Sequence, residues 1–237
     1  FRDFLEDLKL GNTAKRLVII LNTPGGQAET VEKLVDMIRF HYEEVYFVVP
    51  DMAMSAGTIF CMSGDKIFMD YSSSLGPIDP QVFVKGHYVP ALGYLDQVEK
   101  FLQKAKMGAL TSVELTFLQE LDLALLRLYE QAKDLTVTLL KTWLVRYKFK
   151  DWIKHETTPE LLGRIVTKEE KSRRAEDIAK KLGDNSYWHS HNRMINIETL
   201  KSHLKLKIED YTRDLGLRQM IRSYNDLVKE YILTSKS

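Results

Sequence analysis

Cysteine is nearly absent from this chain. Cys61 is the one cysteine in 237 residues, which excludes an internal disulfide and a cysteine-rich zinc site. Net charge is nearly absent as well. Lys and Arg number 34 against 33 Asp and Glu, leaving +1, so there is no whole-chain basic field and no nucleic-acid partner is expected. No apolar run approaches the roughly 18 residues of a membrane span. The longest runs, 17–21 and 45–49, have strand length. Internal repeats and low-complexity tracts are also lacking. No methionine opens the chain. It starts at Phe1, so a leader or membrane anchor is expected only upstream, and a cytoplasmic location is the default. What is present is ordinary: 44% hydrophobic and 28% charged residues, a composition that excludes disorder. The length allows one large domain, or one domain with a helical appendage.

The first ninety residues alternate between strand and helix patterns. Arg16–Leu21, Glu44–Pro50 and Lys66–Asp70 read as strands. Gln27–Tyr42 has helical apolar spacing at Val31, Leu34, Val35, Ile38 and Phe40, and Ser55–Ser63 reads as a small buried helix. Apolar strands joined by helices predict an α/β fold with parallel pairing. After Pro90 the pattern is helical. Ala91–Lys106, a long stretch over Thr111–Tyr147, a start at Thr158-Pro159-Glu160, Lys168–Leu182 capped by Thr167, Ile197–Leu204 and Arg213–Leu233 are expected helices. Asp184–Asn196 is polar and aromatic and reads as a loop. Trp143, Trp152 and Trp188 are dispersed, as core or interface residues are. The division expected is a core over 1–96 and a helical region over 97–237 serving assembly, lid or cleft.

Three short segments stand out. Thr23-Pro24-Gly25-Gly26 follows a strand and precedes a helix. Glycines there admit positive φ and close approach, and free N–H groups can hold a developing oxyanion; an ordinary tight turn explains the same residues. Met54-Ser55-Ala56-Gly57-Thr58 opens the buried helix. A serine at a helix N-terminus lies at the positive end of the dipole, which suits a nucleophile, and equally suits an N-cap. Ala56 and Gly57 leave space around Ser55 that a cap does not need. Leu75-Gly76-Pro77-Ile78-Asp79-Pro80-Gln81 is stiffened by two prolines. Asp79 is a candidate to orient a base or to close an Asx turn.

In this order, the segments resemble the serine dehydrogenase proteinase (SDH) family of the ClpP/crotonase superfamily, related to SppA-type proteases. The resemblance rests on Asn22–Gly26, Ala53–Thr58, Gly64-Asp65, Leu75–Gln81, Val89-Pro90-Ala91 and Ser190-His191-Asn192-Arg193. It implies a spiral of ββα units with a long helical C-terminal region and first strands upstream of Phe1. It also implies a trimer or larger ring, a peptide or protein substrate, and no cofactor. Membrane association is implied only through an upstream segment. Ser55 matches the nucleophile, and the N–H groups of Gly26 or Gly25 and of Ala56 match the oxyanion hole. The relatives' general base is a lysine or a histidine. The lysine belongs near 91–96 and the histidine near 75–76, and this chain has neither there.

His191 is therefore the leading candidate base, with Asp79 behind it, because histidine titrates near neutrality and loops carry function. Lys85 and His87, just past the proline loop, and Lys100 and Lys104, on a helix face, rank below it. His155, His189 and His203 lack a supporting pattern. The pair His189 and His191 has no metal-ligand spacing, so no metal is expected. The run Lys168–Arg174 reads as a solvated helix face. The reading that follows is a serine peptidase. A crotonase-type acyl-CoA enzyme and a non-catalytic scaffold that has lost its base are the alternatives. The reference to serine dehydrogenase implies no redox chemistry, since no nucleotide-binding motif is present.

Overall fold

The computed structural model describes residues 1–84, 86–156 and 158–235. Helix α1 (Arg2–Lys9) leads into strand β1 (Arg16–Ile20), helix α2 (Ala28–His41) and strand β2 (Glu44–Val49). Strand β3 (Met52–Ala53), helix α3 (Ala56–Met62), strand β4 (Lys66–Met69) and strand β5 (Ser74–Leu75) follow. A hairpin of β6 (Gln81–Val84) and β7 (His87–Pro90) then leads to helices α4 (Ala91–Lys106), α5 (Ser112–Gln119) and α6 (Leu123–Trp143). The chain closes with α7 (Lys168–Gly183), α8 (Asn185–Trp188), α9 (Ile197–Ser202), strand β8 (Glu209–Asp210) and α10 (Leu215–Thr234).

The main sheet has the order β1-β2-β4-β8 and every pair is parallel. Parallel strands need crossovers, and α2 and α3 supply the first two. The expected parallel α/β architecture is therefore present, with one difference at the edge. Strand β1 leaves Val18 and Ile20 54% and 42% exposed, because it is paired on one side only among the described residues and only one of its faces is packed.

Helix α3 is buried at every residue from Ala56 to Met62. It is sandwiched between α2 and α6, and Gly64 just beyond it lets the Phe47 ring close in: an added Cβ would meet Phe47 at 2.5 Å. One hydrophobic cluster joins Val35 and Ile38 of α2, Phe47 of β2 and Ile59 of α3. It continues through Leu140 and Trp143 of α6, Ile178 and Leu182 of α7, and Leu200 of α9. The cluster thus runs across residue 96. Each such side chain contributes about 1.5–3 kcal/mol by leaving water.

Several boundaries differ from the sequence pattern. The helix expected over 111–147 is two helices. Asp122 turns its carboxylate onto the Ala124 and Leu125 N–H groups and starts α6 anew. The end of that stretch, Leu144–Lys148, is a π-helical turn. The start at Pro159 yields one 3-10 turn, Pro159–Leu161. Within 184–196, expected as loop, Asp184 caps the short helix α8. The Thr167 cap on α7 is as expected, a reciprocal box with Glu170.

Gly64-Asp65 has a packing role. Asp65 Oδ2 accepts from Arg39 Nη1 at 2.9 Å and from the Val45 N–H at 2.7 Å, and Lys150 Nζ lies 2.5 Å from Oδ1. Burial alone would raise the Asp65 carboxyl. Lys150, the Val45 N–H and Arg39 outweigh it and hold the group below the usual carboxylate range. The Arg39 guanidinium also stacks 3.6 Å from the Tyr147 ring centroid. These contacts fasten α2, β2, β4 and the end of α6 to one carboxylate.

Candidate active site

A second, shorter row of pairings crosses the molecule beyond the C-terminal ends of the strands. Thr23 bridges Ala53, Ala53 pairs with Leu75, and Leu75 bridges Ile195. The bonds are well formed: Met54 N to Thr23 O is 3.0 Å, Leu75 N to Ile195 O is 3.0 Å and Ile195 N to Leu75 O is 2.8 Å. The first three segments run parallel and the fourth antiparallel. Gly25-Gly26, Ser55 and Asp79 therefore follow their anchors, while His191 precedes its own. All four project from one side of the row, and neighbouring anchors stand about 4.8 Å apart. Ser55 has the glycine turn on one side and the Asp79–His191 pair on the other.

Ser55 is the N-cap of α3 at φ 51 and ψ −119, a left-handed region that non-glycine residues rarely enter. Its side chain makes no cap bond to the helix, so the N-cap explanation of this serine fails. Helix α3 starts tightly behind it. Gly57 N donates to Met54 O at 2.8 Å, and a Cβ at Gly57 would sit 2.5 Å from Thr23 Cγ2. Thr58, fully buried, places its Oγ1 2.8 Å from Ala53 O and 2.9 Å from both Gly76 O and Gly76 N. One hydroxyl thereby clasps the serine turn to the proline loop.

The two glycines differ. Gly25 takes φ 119, and a Cβ there would lie 2.9 Å from Met54 O and 3.0 Å from Ser55 Cβ. Only glycine fits. Its N–H already donates to Thr23 Oγ1 at 3.1 Å, which leaves the Gly26 N–H as the uncommitted donor of the turn. The Ala56 N–H, at the first residue of α3, is likewise in no hydrogen bond among the described residues.

Asp79 is fully buried. The loop that carries it is tied down by Ile78 N, which donates to Leu182 O at 2.9 Å and caps the end of α7. Asp79 Oδ1 lies 2.9 Å from His191 Nδ1, while Oδ2 accepts from Gln81 Nε2 at 2.8 Å and from Asn185 Nδ2 at 3.2 Å. It closes no Asx turn. A carboxylate oxygen accepts, so Nδ1 of His191 donates, and in the neutral form of such an imidazole the lone pair is on Nε2. The loop around His191 is anchored at both ends, by the buried Trp188, whose Nε1 donates to Lys181 O at 2.6 Å, and by Ile195. Ser55 Oγ makes no hydrogen bond among the described residues, to His191 or to any other group.

The lower-ranked bases lie elsewhere. Lys100 is exposed, and Lys104 is exposed and paired with Glu114 at 2.5 Å. Lys85 lies outside the described residues, and His87 belongs to β7. His189 is exposed, and His203 bonds Tyr187 Oη at 2.5 Å. No group of three His, Cys, Asp or Glu residues among the described ones is placed to hold a metal. No helix among them is long and apolar enough to cross a membrane. Sequence reasoning passed over Thr58 and Gln81, although both stand in the quoted motifs. It passed over Asn185 too, where only a polar-aromatic composition signalled it; Trp188 is buried, in keeping with its reading as a core or interface residue.

The family model for ClpP-like SDH-type serine proteinases matches residues 3–155. The chain belongs to that family. The match covers well over half of it and agrees with the parallel α/β architecture, so the fold class is ClpP-like and the family is one of serine proteinases. Two curated relatives are similar to this SDH-type chain, both from Methanocaldococcus jannaschii. Uncharacterized protein MJ0137 is 34% identical over 98 residues, 41% of this chain and 33% of that protein. Uncharacterized protein MJ1495 is 28% identical over 114 residues, 48% of this chain and 38% of that protein. The matched stretches thus span about a third of those relatives. Two solved structures align with 89% of the chain at a TM-score of 0.49. One is a serine-to-alanine mutant of the 1510-N membrane-bound stomatin-specific protease, at 13% identity over 72% of its chain. The other is a lysine-to-alanine mutant of the same protease with a substrate peptide, at 15% identity over 68% of its chain.

Proposed function

We propose that this SDH-type chain hydrolyses peptide bonds with Ser55 as nucleophile, His191 as general base and Asp79 as the residue that orients it. The observation that carries the reading is the 2.9 Å contact between a fully buried Asp79 and His191, 112 residues apart in sequence, beside a serine held at positive φ. Asp79 fixes the imidazole so that Nε2 is the basic nitrogen. In the productive complex Nε2 comes within about 3 Å of Ser55 Oγ and takes its proton as Oγ attacks the substrate carbonyl. The Gly26 and Ala56 N–H groups receive the oxyanion, with the N-terminus of α3 adding its dipole. The proton on Nε2 then passes to the leaving amine, and water hydrolyses the acyl-enzyme by the same steps in reverse. A scaffold that had lost its base would have no use for a buried carboxylate aimed at His191. That favours the peptidase over the scaffold.

The test is labelling with a fluorophosphonate probe, followed by peptide mapping, on wild type, Ser55→Ala and His191→Ala. The expected outcome is a label on Ser55 that vanishes in Ser55→Ala and falls sharply in His191→Ala, with both variants folded by circular dichroism. A folded wild type that takes no label at Ser55 overturns the reading.

A further inference from the structure

A cavity of about 530 Å³ opens at the other end of the parallel strands, away from Ser55. Its floor includes Asp65 and Lys66 at the start of β4, which pairs in parallel with β2. Ser55 lies past the opposite end of β2. The volume is that of a small-molecule site. Three features mark it as built. The π-helical turn Leu144–Lys148 ends on its wall, and such turns recur at functional sites. Lys205, at its edge, holds φ 47 although it is not glycine. His155, 8% exposed, lines it with its Nε2 turned to Glu170 Oε1 at 3.5 Å.

Two cations of the wall stand out. Lys148 makes no ion pair among the described residues; burial pulls its ammonium down to about 8, Glu209 pulls back through space, and Lys207 adds like charge. Arg174, half-buried, donates to the Leu204 carbonyl and to no carboxylate. Acids line the cavity too, but the deep ones are spent. Asp65 is held by Arg39 and Lys150, Glu170 by the Thr167 cap, Arg164 and His155, and the half-buried Glu209 acts on Lys148 through space. Asp151, Glu156 and Asp177 are exposed at the rim. Trp152, stacked edge-on against His155 and Phe149, supplies an aromatic wall.

We propose that this cavity binds a small phosphate monoester, its dianionic group taken by Lys148 and Arg174 and its apolar remainder lying against Trp152. The Lys148 ammonium and the Arg174 guanidinium carry more than two N–H donors between them, which suits the three oxygens of a phosphate better than the two of a carboxylate. Exclusion from water makes each contact count for more than at the surface.

The test is calorimetric titration of the full chain with phenyl phosphate, inorganic phosphate and benzoate. Phenyl phosphate is expected to bind one to one, inorganic phosphate more weakly, and benzoate at least tenfold more weakly than phenyl phosphate. Lys148→Met is expected to lower phenyl phosphate affinity at least tenfold, and Lys207→Gln, an exposed side chain, severalfold. Ser55→Ala binds as wild type does, which separates this site from the peptidase reading. Thermal melting separates a ligand role from a structural one. Phenyl phosphate raises the wild-type Tm and not that of Lys148→Met. The proposal is overturned by absence of saturable binding to wild type at millimolar ligand, by benzoate binding as well as phenyl phosphate, by unchanged affinity in Lys207→Gln, or by loss of binding in Ser55→Ala.

Discussion

The two ends of the same parallel strands are made of opposite materials. Beyond their C-terminal ends lie Gly25, Gly26, Ser55, Ala56 and Gly57. These residues bring little side chain, two uncommitted N–H groups and one serine at positive φ. At the N-terminal ends lie Arg39, Asp65, Lys148, Lys150 and Glu170, a layer of charge threaded by ion pairs. In the proposed reaction the first end draws its chemistry from the backbone, which side chains would only obstruct. The second holds the sheet to its helices through side-chain charge. Damage should therefore read out differently at the two ends, as lost turnover with an intact fold at one and as lost stability at the other.

The largest effect is expected at Ser55, the proposed nucleophile. Ser55→Ala should cost roughly 10⁶-fold in kcat with an unchanged melting curve, measured on a fluorogenic peptide. A melting transition that falls with activity would merge the two ends of the comparison. Next comes Asp79→Asn. It keeps the shape of the buried site but can present an N–H to Nδ1, reversing the tautomer, and should lower kcat about 10⁴-fold, read from the pH–rate profile and kcat. At the charged end, Arg39→Ala leaves Asp65 buried with less compensation. It should cost about 3–5 kcal/mol in urea unfolding, while turnover per folded molecule is kept. Asp65 also fixes the sign of the acid limit. Its carboxyl is held below the usual range, so its contribution is present above the unfolded value of about 3.9 and is lost as pH falls through the lower folded value.

Thr58→Val sharpens the boundary from the active-site side. It removes the hydroxyl that joins Ala53 to Gly76 and strands their buried groups, at about 1–3 kcal/mol, with kcat falling alongside. The last effect has the opposite sign. Lys148→Met removes a buried ammonium whose pKa is pulled down to about 8, so the variant should be more stable than wild type at pH 7 in thermal melts. The lowered value means that the charged form weakens the native state fully below about pH 8. That penalty fades as the pH rises toward the ordinary lysine value of about 10.4, so the two melting curves should converge between pH 8 and 10.

Much of this molecule was legible in its sequence. Strands β1, β2 and β4 were readable because apolar β-branched runs of four to six residues, bounded by turn signals, have few other uses. The Thr167 cap was readable because Glu170 stands three residues on. The break at Asp122 was overlooked, although an aspartate before a helical run is a cap signal, because the apolar spacing continues through it. Ser55, Gly25 and Asp79 stood out locally as unusual residues at turns. What each does there had several local answers, and the N-cap and Asx-turn answers, both physically sound, are not the ones the fold uses.

The sequence by itself determined the elements, the parallel α/β class and the three turn segments, because caps, periodicity and glycine-permissive turns act over a few residues. Tertiary structure alone decided that His191 meets Asp79 across 112 positions, that Asn185 and Gln81 complete the carboxylate, and that the Gly26 N–H rather than that of Gly25 is left free. The physical reason is the row Thr23–Ala53–Leu75–Ile195. Strand pairing lays distant segments side by side at about 4.8 Å, and no local preference of any one segment encodes which neighbour it will receive.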